Sequence, residues 1–335
     1  MKLRGWAGIG GILLVIAGIP AAVPPGQNPP CVFSGVERTV VVGDLHGALD
    51  RFLAILQGTG LVGEDLSWSG GRAHLVQMGD IIDRGPDARR IFDLLRRLEA
   101  EAEAAGGRVH VLLGNHEVLA LMGLSFDYEG FVTFEQYASF LPADLRRRAE
   151  GAKERRNGPG IDALWREALR MDGRARAAYM RTLRDAYGLW LAGHNTALRI
   201  NDVVFVHGGL NESYSAWPLE RINKAVTEEL LEFLAGRTAE SRVLVDGRGP
   251  LWYRDLAAKP EDIMRSEFIR VLANLQAKAM VVAHTPTKAS RSLEYLSRFD
   301  GRLWTVDTGI WDPVSGRVAA LLIEGGRFRI WRIEE

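Results

Sequence analysis

Three polar clusters with the side chains of a metal site occur in the first third of the chain. They are Gly43-Asp44-Leu45-His46-Gly47, Gly79-Asp80-Ile81-Ile82-Asp83-Arg84-Gly85 and Gly114-Asn115-His116-Glu117. Two later histidines, His207 and His284, also follow apolar segments. Carboxylate, imidazole and carboxamide groups bind divalent cations such as Mn, Fe, Zn or Mg without any thiolate. The five segments therefore supply ligands for divalent ions.

Two ions could share these ligands, an assignment that depends on the family resemblance described below and not on the residues alone. Asp44 and His46 could converge on one ion, with Asp80 of the middle cluster as the natural bridging carboxylate. Asn115, His207 and His284 would complete the ligands of the other ion. A pair of ions about 3.5–4 Å apart lowers the pKa of a shared water and holds the oxygens of an in-line displacement at phosphorus. Each cluster alone could instead be a helix cap or a salt-bridged turn; the ordered set indicates a metal site.

The clusters follow short apolar segments that have the pattern of β-strands. The sequence between these segments has the apolar spacing of helices. Phe52, Ile55 and Leu56 lie on one face of the first predicted helix, and a second helix is predicted over 88–105. A β-α-β-α-β order predicts parallel strands with right-handed crossovers, whose carboxyl ends meet at one ligand-binding edge. The predicted strands are 39–42, 74–78, 109–113, 203–206, 279–283 and 304–306.

The remaining elements complete an α/β chain. Residues 126–191 are rich in Arg, Ala and Glu and predict a helical insertion, whose charge runs are most simply solvated helix faces. Pro218 and Pro260 mark the starts of helices. The C-terminal segments 318–323 and 328–333 predict a closing β-hairpin.

The first thirty residues predict an export signal. Lys2 and Arg4 precede an apolar run of about 14 residues, shorter than a spanning helix prefers. Small residues and prolines follow, so cleavage after Ala21 is expected, and an uncleaved membrane anchor is the alternative. Cys31 is expected to be an unmodified thiol. An exported, periplasmic or secreted protein is therefore predicted, with a tether through residues 1–30 as the alternative.

Composition excludes several classes of protein. The 335 residues are 47% apolar and 25% charged, as in ordinary globular proteins. With 42 basic and 42 acidic residues the net charge is 0, so no bulk positive field recruits nucleic acid. The single cysteine excludes a disulfide framework and a Cys-rich zinc site. Any metal must be bound by His, Asp, Glu or Asn.

From about residue 38 to 309 the chain resembles the calcineurin-like metallophosphoesterases, and among them the PPP-type protein phosphatases of the bacterial Shewanella-like branch. The resemblance is carried by the three clusters and by His207-Gly208-Gly209 and Ala283-His284-Thr285. It implies a four-layer α/β/β/α sandwich, the metallo-dependent phosphatase fold, in a domain spanning 36–335. It also implies two divalent ions, with Mn, Fe or Zn favoured over Mg.

The resemblance implies a role for each candidate residue. Asp44, His46 and Asp80 would bind the first ion, and Asp80, Asn115, His207 and His284 the second. His116 would protonate the leaving oxygen, with Asp83 holding it. Asn115 and Arg84 would contact the phosphate, and Arg254, in Leu251-Trp252-Tyr253-Arg254, would be a second phosphate arginine; a surface salt bridge is the alternative for Arg254.

Two departures from related patterns favour a phosphoprotein phosphatase. Pro286 stands where many metallophosphoesterases carry a second histidine, and Asp83 precedes Arg84, where diadenosine-tetraphosphatase relatives lack an acid. The resemblance thus implies hydrolysis of phosphoproteins or phosphopeptides by a dimetal-bound hydroxide, with a tilt toward phosphotyrosine. The alternatives are a dinucleoside polyphosphate or small-molecule phosphatase, and a metal-binding adaptor without catalysis.

Four further polar residues are left outside the predicted site. His74 and His110 lie at strand starts and are expected to be structural. His194 could face the site. Asp307 resembles a recurrent acid of the family, although a structural hydrogen bond is the simpler interpretation.

Overall fold

The computed structural model describes residues 29–154, 173–237, 242–287 and 296–333. The strands, in chain order, are β1 (Val32–Phe33), β2 (Arg38–Val42), β3 (His74–Gln77), β4 (Arg108–Val111), β5 (Ala197–Ile200), β6 (Val203–Val206), β7 (Ala279–Val282), β8 (Ser297–Arg298), β9 (Leu303–Thr305), β10 (Ala319–Glu324) and β11 (Arg327–Arg332). The predicted strands are confirmed to within about two residues, and so is the C-terminal hairpin.

The α-helices lie between the strands. They are α1 (Leu49–Gly58), α2 (Ala88–Ala104), α3 (Asn115–Met122), α4 (Phe134–Phe140), α5 (Ala143–Glu154), α6 (Gly173–Leu183), α7 (Leu189–Ala192), α8 (Glu212–Ser215), α9 (Leu219–Leu234), α10 (Asp255–Ala258) and α11 (Glu261–Asn274). Short 3₁₀ turns cover Ser125–Asp127 and Val243–Val245, and a π-helical turn covers Arg184–Gly188. Pro218 and Pro260 directly precede α9 and α11, as predicted.

The strands form two sheets. One has the order β11-β10-β2-β3-β4, with β2, β3 and β4 parallel and the hairpin antiparallel beside β2. The other has the order β1-β5-β6-β7-β9-β8, with β6, β7 and β9 parallel. The three N-terminal clusters therefore follow one sheet, whereas His207 and His284 follow the other.

Alternation along β2 explains why the sheets pack face to face. Val40 and Val42 are buried in one core with the helical residues Phe52 and Ile91. Val41, between them, is buried in a second core that contains β6 and β7. Successive side chains of a strand point to opposite faces, so β2 contacts helices on one side and the second sheet on the other. This is the α/β/β/α sandwich that the resemblance implies.

Part of the predicted insertion and the N-terminus lie outside the described residues. Within 126–191 the structure contains α4, α5, α6 and α7, while 155–172 is not described. The limits of the insertion and of the 36–335 domain stay predictions. Residues 1–28, with the predicted export signal, are also outside the described ranges. Across the described ranges no helix is long and apolar enough to cross a membrane.

Candidate metal centre

The ends of parallel strands from both sheets meet at one site. The clusters after β2, β3 and β4 approach it from one sheet, and the loops after β6 and β7 approach it from the other. Close contact between these loops requires glycine: a Cβ on Gly43 would lie 2.1 Å from the main-chain oxygen of Val306, and one on Gly79 would lie 2.6 Å from the nitrogen of Gly114. Glycine therefore allows the two sheet edges to converge.

Asp80 lies at the centre of the convergence. Its Oδ1 is 3.3 Å from Nε2 of His207, and its Oδ2 is 3.9 Å from Nε2 of both His46 and His116. Two groups of potential metal ligands share it: Asp80 with His46 and His116, and Asp80 with His207 and His284. In each group the ligand atoms lie within 4.8 Å of one another. Asp80 thus lies between the two groups, and its role as a bridging ligand stays a prediction.

Hydrogen bonds orient two of the imidazole rings toward the centre. Nδ1 of His46 donates to the main-chain oxygen of Ile82 at 2.9 Å, and Nδ1 of His207 donates to that of Met78 at 2.7 Å. The opposite nitrogen, Nε2, therefore faces Asp80 in both rings. Fixing one ring nitrogen on a carbonyl is how proteins orient histidines that bind metals. Asn115 adds its Oδ1, which lies 3.0 Å from Nε2 of His207.

Two observations test whether a cation fits this donor set. Nε2 of His284 is buried and has no hydrogen-bond partner among the described residues, which is rare for a buried polar atom. Burial, followed by the charge of His207, lowers the pKa of His284 to about 2, so that its ring is neutral and available as a ligand. Burial also lowers the pKa of His46 well below its ordinary value. Neutral buried imidazoles beside a carboxylate suit divalent metals.

The charge balance of the site also favours cations. Burial raises the pKa of Asp44 well above its usual range, and the carboxylates of Asp307 and Asp80 raise it further. Burial opposes ionisation of Asp80 as well, but His207, His116 and His46 together lower its pKa well below the usual range. Three carboxyl groups are thus buried together, an arrangement that is costly unless positive charge is near.

Asp44 and Asp307 contact each other through their carboxyl groups. Oδ1 of Asp44 also accepts the main-chain N–H of His284 at 3.2 Å and lies 3.9 Å from Nδ1 of His207. Oδ1 of Asp307 accepts the N–H of Gly309 at 3.0 Å, so the structural hydrogen bond expected for it is present. Asp307 nevertheless lies at the site, as the resemblance to a recurrent acid of the family suggested, although a purely structural role was the favoured prediction. Its signal was its location directly after β9, beside β7.

Strained backbone is concentrated at the site. Ten non-glycine residues have clearly positive φ in the part of the chain that the structure describes, and five are candidate site residues: His46, Asp80, Asp83, Arg84 and His284. Side chains other than glycine rarely adopt this region, and such strain clusters at functional sites. The strained conformations of these loops therefore orient the candidate side chains, since a simple chain reversal would place glycine at these positions.

Glu117 stabilises the strained loop that carries Asp80. Its buried carboxylate accepts the main-chain N–H groups of Asp80 at 2.9 Å, Ile81 at 2.7 Å and Gly114 at 2.9 Å. It thus joins the second and third clusters. In the sequence, Glu117 is visible only as the last residue of the third cluster, and no role was predicted for it.

His116 and Asp83 form a buried pair beside Asp80. Nδ1 of His116 lies 2.8 Å from Oδ2 of Asp83, and the main-chain N–H of His116 donates to Oδ1 of Asp80 at 2.9 Å. Burial lowers the pKa of His116, but the charges of Asp80 and Asp83 and the hydrogen bond to Asp83 raise it above its ordinary value overall. The contact predicted between Asp83 and His116 is therefore present in the structure.

Both predicted phosphate arginines lie at the site. The guanidinium of Arg84 stacks over Phe131 and Trp311, with its carbon 5.1 and 4.9 Å from the ring centres. Arg254 donates to the main-chain oxygen of His284, and its Nη2 lies 3.4 Å from Nδ1 of that ring. It makes no surface salt bridge among the described residues, so that alternative is not what the structure contains.

The other histidines lie elsewhere. His194 bonds to Glu99 of α2 at 2.8 Å and to the main-chain oxygen of Trp190 of α7 at 2.7 Å. The prediction that it could face the site is therefore wrong. His74 and His110 bond to each other at 3.0 Å near the start of β3 and β4. A cavity of about 660 Å³ opens there, lined by His74 and by the loops before β2, β3 and β4; none of the candidate site residues lines it.

Comparison with known proteins agrees with this fold. The family model described as calcineurin-like phosphoesterase matches residues 37–288. The chain therefore belongs to the calcineurin-like phosphoesterases and is a metal-dependent hydrolase of phosphoesters. The members of this family use two metal ions.

Its relatives include protein phosphatases. Shewanella-like protein phosphatase 2 of Arabidopsis thaliana is 30% identical over 266 residues, which cover 76% of this chain and 67% of the relative. An uncharacterized protein of Schizosaccharomyces pombe is 31% identical over 84% of this chain and 76% of its own length. The crystal structure of a cold-active protein-tyrosine phosphatase from a psychrophilic Shewanella species superposes with a TM-score of 0.66 at 25% identity, covering 91% of this chain and 80% of that one. The predicted family is confirmed.

Proposed function

We propose that this phosphoesterase hydrolyses phosphoproteins or phosphopeptides and prefers phosphotyrosine. The observation that carries the proposal is the combination of a proton-donating pair, His116 and Asp83, with two arginines, Arg84 and Arg254, around Asp80. A metal-binding adaptor would need neither the pair nor the arginines. Phosphatases among the relatives support phosphorylated substrates.

Six residues are proposed to hold two divalent ions. When bound, such ions supply a nucleophilic water at neutral pH and positive charge for the phosphate oxygens. Mn, Fe or Zn suits a set of three histidines with two carboxylates and one amide better than Mg, which prefers oxygen ligands and keeps several waters. The proposed ligands are Asp44, His46, Asp80, Asn115, His207 and His284.

The protein's own groups would perform the remaining steps. Arg84 and Arg254 would neutralise the phosphate oxygens, since a guanidinium matches phosphate geometry, and Asn115 would contact the same phosphate. His116 would donate a proton to the leaving oxygen, while Asp83 holds its other nitrogen. Phosphorus would be attacked directly by water, without a phosphorylated enzyme.

Aromatic rings at the site support a preference for phosphotyrosine. Phe131 lies with its ring centre 4.5 Å from that of His116, and half-exposed Tyr128 stacks on Phe131 at 4.9 Å. Trp311 contacts the same guanidinium of Arg84 as Phe131 does. An aryl group leaving from the phosphate could stack on such rings, whereas a serine or threonine side chain could not.

The test is turnover of matched peptides that differ only in phosphotyrosine, phosphoserine or phosphothreonine, with Mn, Fe, Zn and Mg supplied separately. We expect the phosphotyrosine peptide to be hydrolysed fastest. Asp80→Asn and His116→Asn should lower turnover by about 10²-fold or more without unfolding the protein. Faster hydrolysis of diadenosine tetraphosphate than of any peptide, or wild-type turnover in both variants, would refute the proposal.

We also propose that the protein acts outside the cytoplasm. The support is the N-terminal sequence alone: Lys2 and Arg4, an apolar run, then small residues. Expression of the full chain, fractionation of the cells and N-terminal sequencing of the product test this proposal. A product in the periplasm that begins near residue 22 is expected. A soluble cytoplasmic product that still begins at Met1 would contradict it, and an intact product in the membrane would favour the anchor.

A further inference from the structure

Both carboxylate oxygens of Asp83 are hydrogen-bonded. Oδ2 accepts from the hydroxyl of Ser125 at 2.8 Å and lies 2.8 Å from Nδ1 of His116. Oδ1 accepts from the side-chain amide nitrogen of Gln136 at 3.1 Å, and the main-chain N–H of Asp83 donates to the amide oxygen of Gln136 at 2.8 Å. Gln136 therefore holds Asp83 at two points, from a helix about fifty residues further along the chain.

A second contact fixes the amide of Gln136. Its Nε2 also donates to the hydroxyl of Tyr179 at 2.9 Å, so its two amide protons have separate acceptors. A flipped amide would place Oε1 against the carboxylate of Asp83, which is repulsive. The main-chain N–H of Gln136 bonds to the capping hydroxyl of Thr133 at 3.2 Å, which fixes the start of α4. Both orientation and location of the amide are therefore determined.

Tyr179 links this contact to the core of the helical region. It lies on α6 and is fully buried, with its ring centre 5.2 Å from that of Phe126 and 5.3 Å from that of Phe140. A tyrosine packed in this way cannot move without disturbing several aromatic neighbours. These packed aromatic residues thus hold Tyr179, and through Gln136 they hold the carboxylate of Asp83.

We propose that Gln136, held by Tyr179, is a positioning residue for leaving-group protonation: it stops rotation of the Asp83 carboxylate and so keeps the His116 ring aimed at the leaving oxygen. The proposal rests on the proton-donating role proposed for His116. Without the amide, Oδ1 of Asp83 would be a buried acceptor that has lost its donor. Rotation to find another donor would move Oδ2 away from His116.

The test compares Gln136→Met with the wild-type full chain on phosphate esters of increasingly basic alcohols, from dinitrophenyl through nitrophenyl and phenyl to alkyl phosphates. Methionine has a similar length but cannot donate or accept in this arrangement. General acid catalysis contributes about 10²–10⁴-fold and matters only when the leaving oxygen needs a proton. We therefore expect kcat to fall at least roughly tenfold for phenyl and alkyl phosphates and by less than about threefold for dinitrophenyl phosphate, with KM little changed.

Two further variants make the result specific. Tyr179→Phe keeps the ring but removes the acceptor, so it should produce the same leaving-group dependence at smaller amplitude, even if Gln136→Met fails to fold. Asn223→Leu is the control for lost stability, because Asn223 on α9 is also a buried amide and bonds to the main chain of Thr196 and Ala197 at the start of β5. It should lower stability and leave the leaving-group dependence unchanged.

The outcomes distinguish failure of the positioning role of Gln136 from failure of the proton-donating role of His116. His116→Asn should show the steepest leaving-group dependence, and adding Gln136→Met to it should change the rates little further. The positioning role is refuted if Gln136→Met and Tyr179→Phe lower the rates on all esters by the same factor, which is the pattern expected when a variant such as Asn223→Leu loses only stability. In that case His116 keeps its role. If His116→Asn itself loses activity equally on all esters, the proton-donating role fails, and the positioning role fails with it.

Discussion

The guanidinium carbon of Arg84 lies 4.9 Å from the centre of the Trp311 ring and 5.1 Å from that of Phe131. Its Nε is buried and has no hydrogen-bond partner within the described ranges. Contact with two aromatic rings therefore holds this side chain where a salt bridge would otherwise do so. Because the two rings leave its charge uncompensated, Arg84 remains free to bind a phosphate.

Replacing Trp311 should weaken phosphate binding. A cation–π contact of about 1–2 kcal/mol corresponds to a factor of about 5–30 in binding. We expect Trp311→Leu to raise KM for aryl phosphates and the inhibition constant of inorganic phosphate by that factor, and Trp311→Phe to raise them less. Steady-state kinetics with phosphate as inhibitor is the measurement. Trp217→Leu, which removes a similar contact with Arg221 away from the site, is the control. Equal KM in all four proteins would contradict the role of Trp311.

Replacing Asp307 should separate stability from metal binding. Asp307 is a buried carboxyl group in contact with Asp44, and Asp80 is close by. Asp307→Asn removes one of these acids, so we expect the protein in EDTA to unfold at the same or a higher temperature. The increase in melting temperature on adding Mn should shrink, because a metal stabilises the folded state in proportion to its affinity, and loss of a supporting carboxylate typically costs about 10–100-fold in affinity.

Thermal unfolding with and without Mn measures both effects of Asp307→Asn. A variant that is less stable in EDTA but gains as much from Mn as the wild type would show that Asp307 only supports the fold. Asp312→Asn is a suitable control, because Asp312 lies on the same C-terminal loop and is bonded to Ser315 at the surface.

Glu117→Gln should destabilise the loop of Asp80. One carboxylate oxygen would become an amide nitrogen that points at N–H groups, so at least one buried donor would lose its acceptor. We expect a loss of about 3 kcal/mol in the free energy of unfolding. Urea unfolding measures it, with Glu228→Gln as an exposed control that should change stability by less than about 0.5 kcal/mol. A loss in Glu117→Gln no greater than in the control would contradict this account.

The buried pair His74 and His110 should make the fold sensitive to acid. Burial, followed by the charge of Arg108, lowers the pKa of His74 from 6.5 to about 4, and burial lowers the pKa of His110 well below 6.5. The unfolded chain binds these protons more readily than the folded chain. The stability that depends on the neutral pair is therefore present above about pH 6.5 and is lost as pH falls toward about 4.

Comparison of wild type with His110→Leu between pH 7.5 and 4.5 isolates the pair, because the remaining groups titrate in both proteins. We expect the urea midpoint of the wild type to fall more steeply below pH 6.5, so that the two midpoints approach each other. Parallel curves would show that the pair does not contribute to the acid sensitivity.

Local patterns sufficed for most of the site. Asp44, His46, Asp80, Asn115 and His116 each follow a strand by a few residues, and the strands were visible as apolar runs. Which residues are adjacent to a strand end depends only on nearby sequence, and parallel strands then bring the ends together. The hairpin at the C-terminus was predictable for the same reason.

The tertiary structure decided which distant segments meet. His207 and His284 come from a second sheet, and nothing in their own sequence says that this sheet packs against the first with its strand ends at the same place. Gln136, Tyr179 and Trp311 carry no motif at all. Their roles follow from burial, which depends on how the whole chain packs and not on the period of any one segment. The sequence by itself thus determined the strands and predicted the candidate metal ligands that follow them, because both depend on local pattern. Only the packed fold decided that these residues meet, what holds them, and what surrounds Arg84 and Asp83.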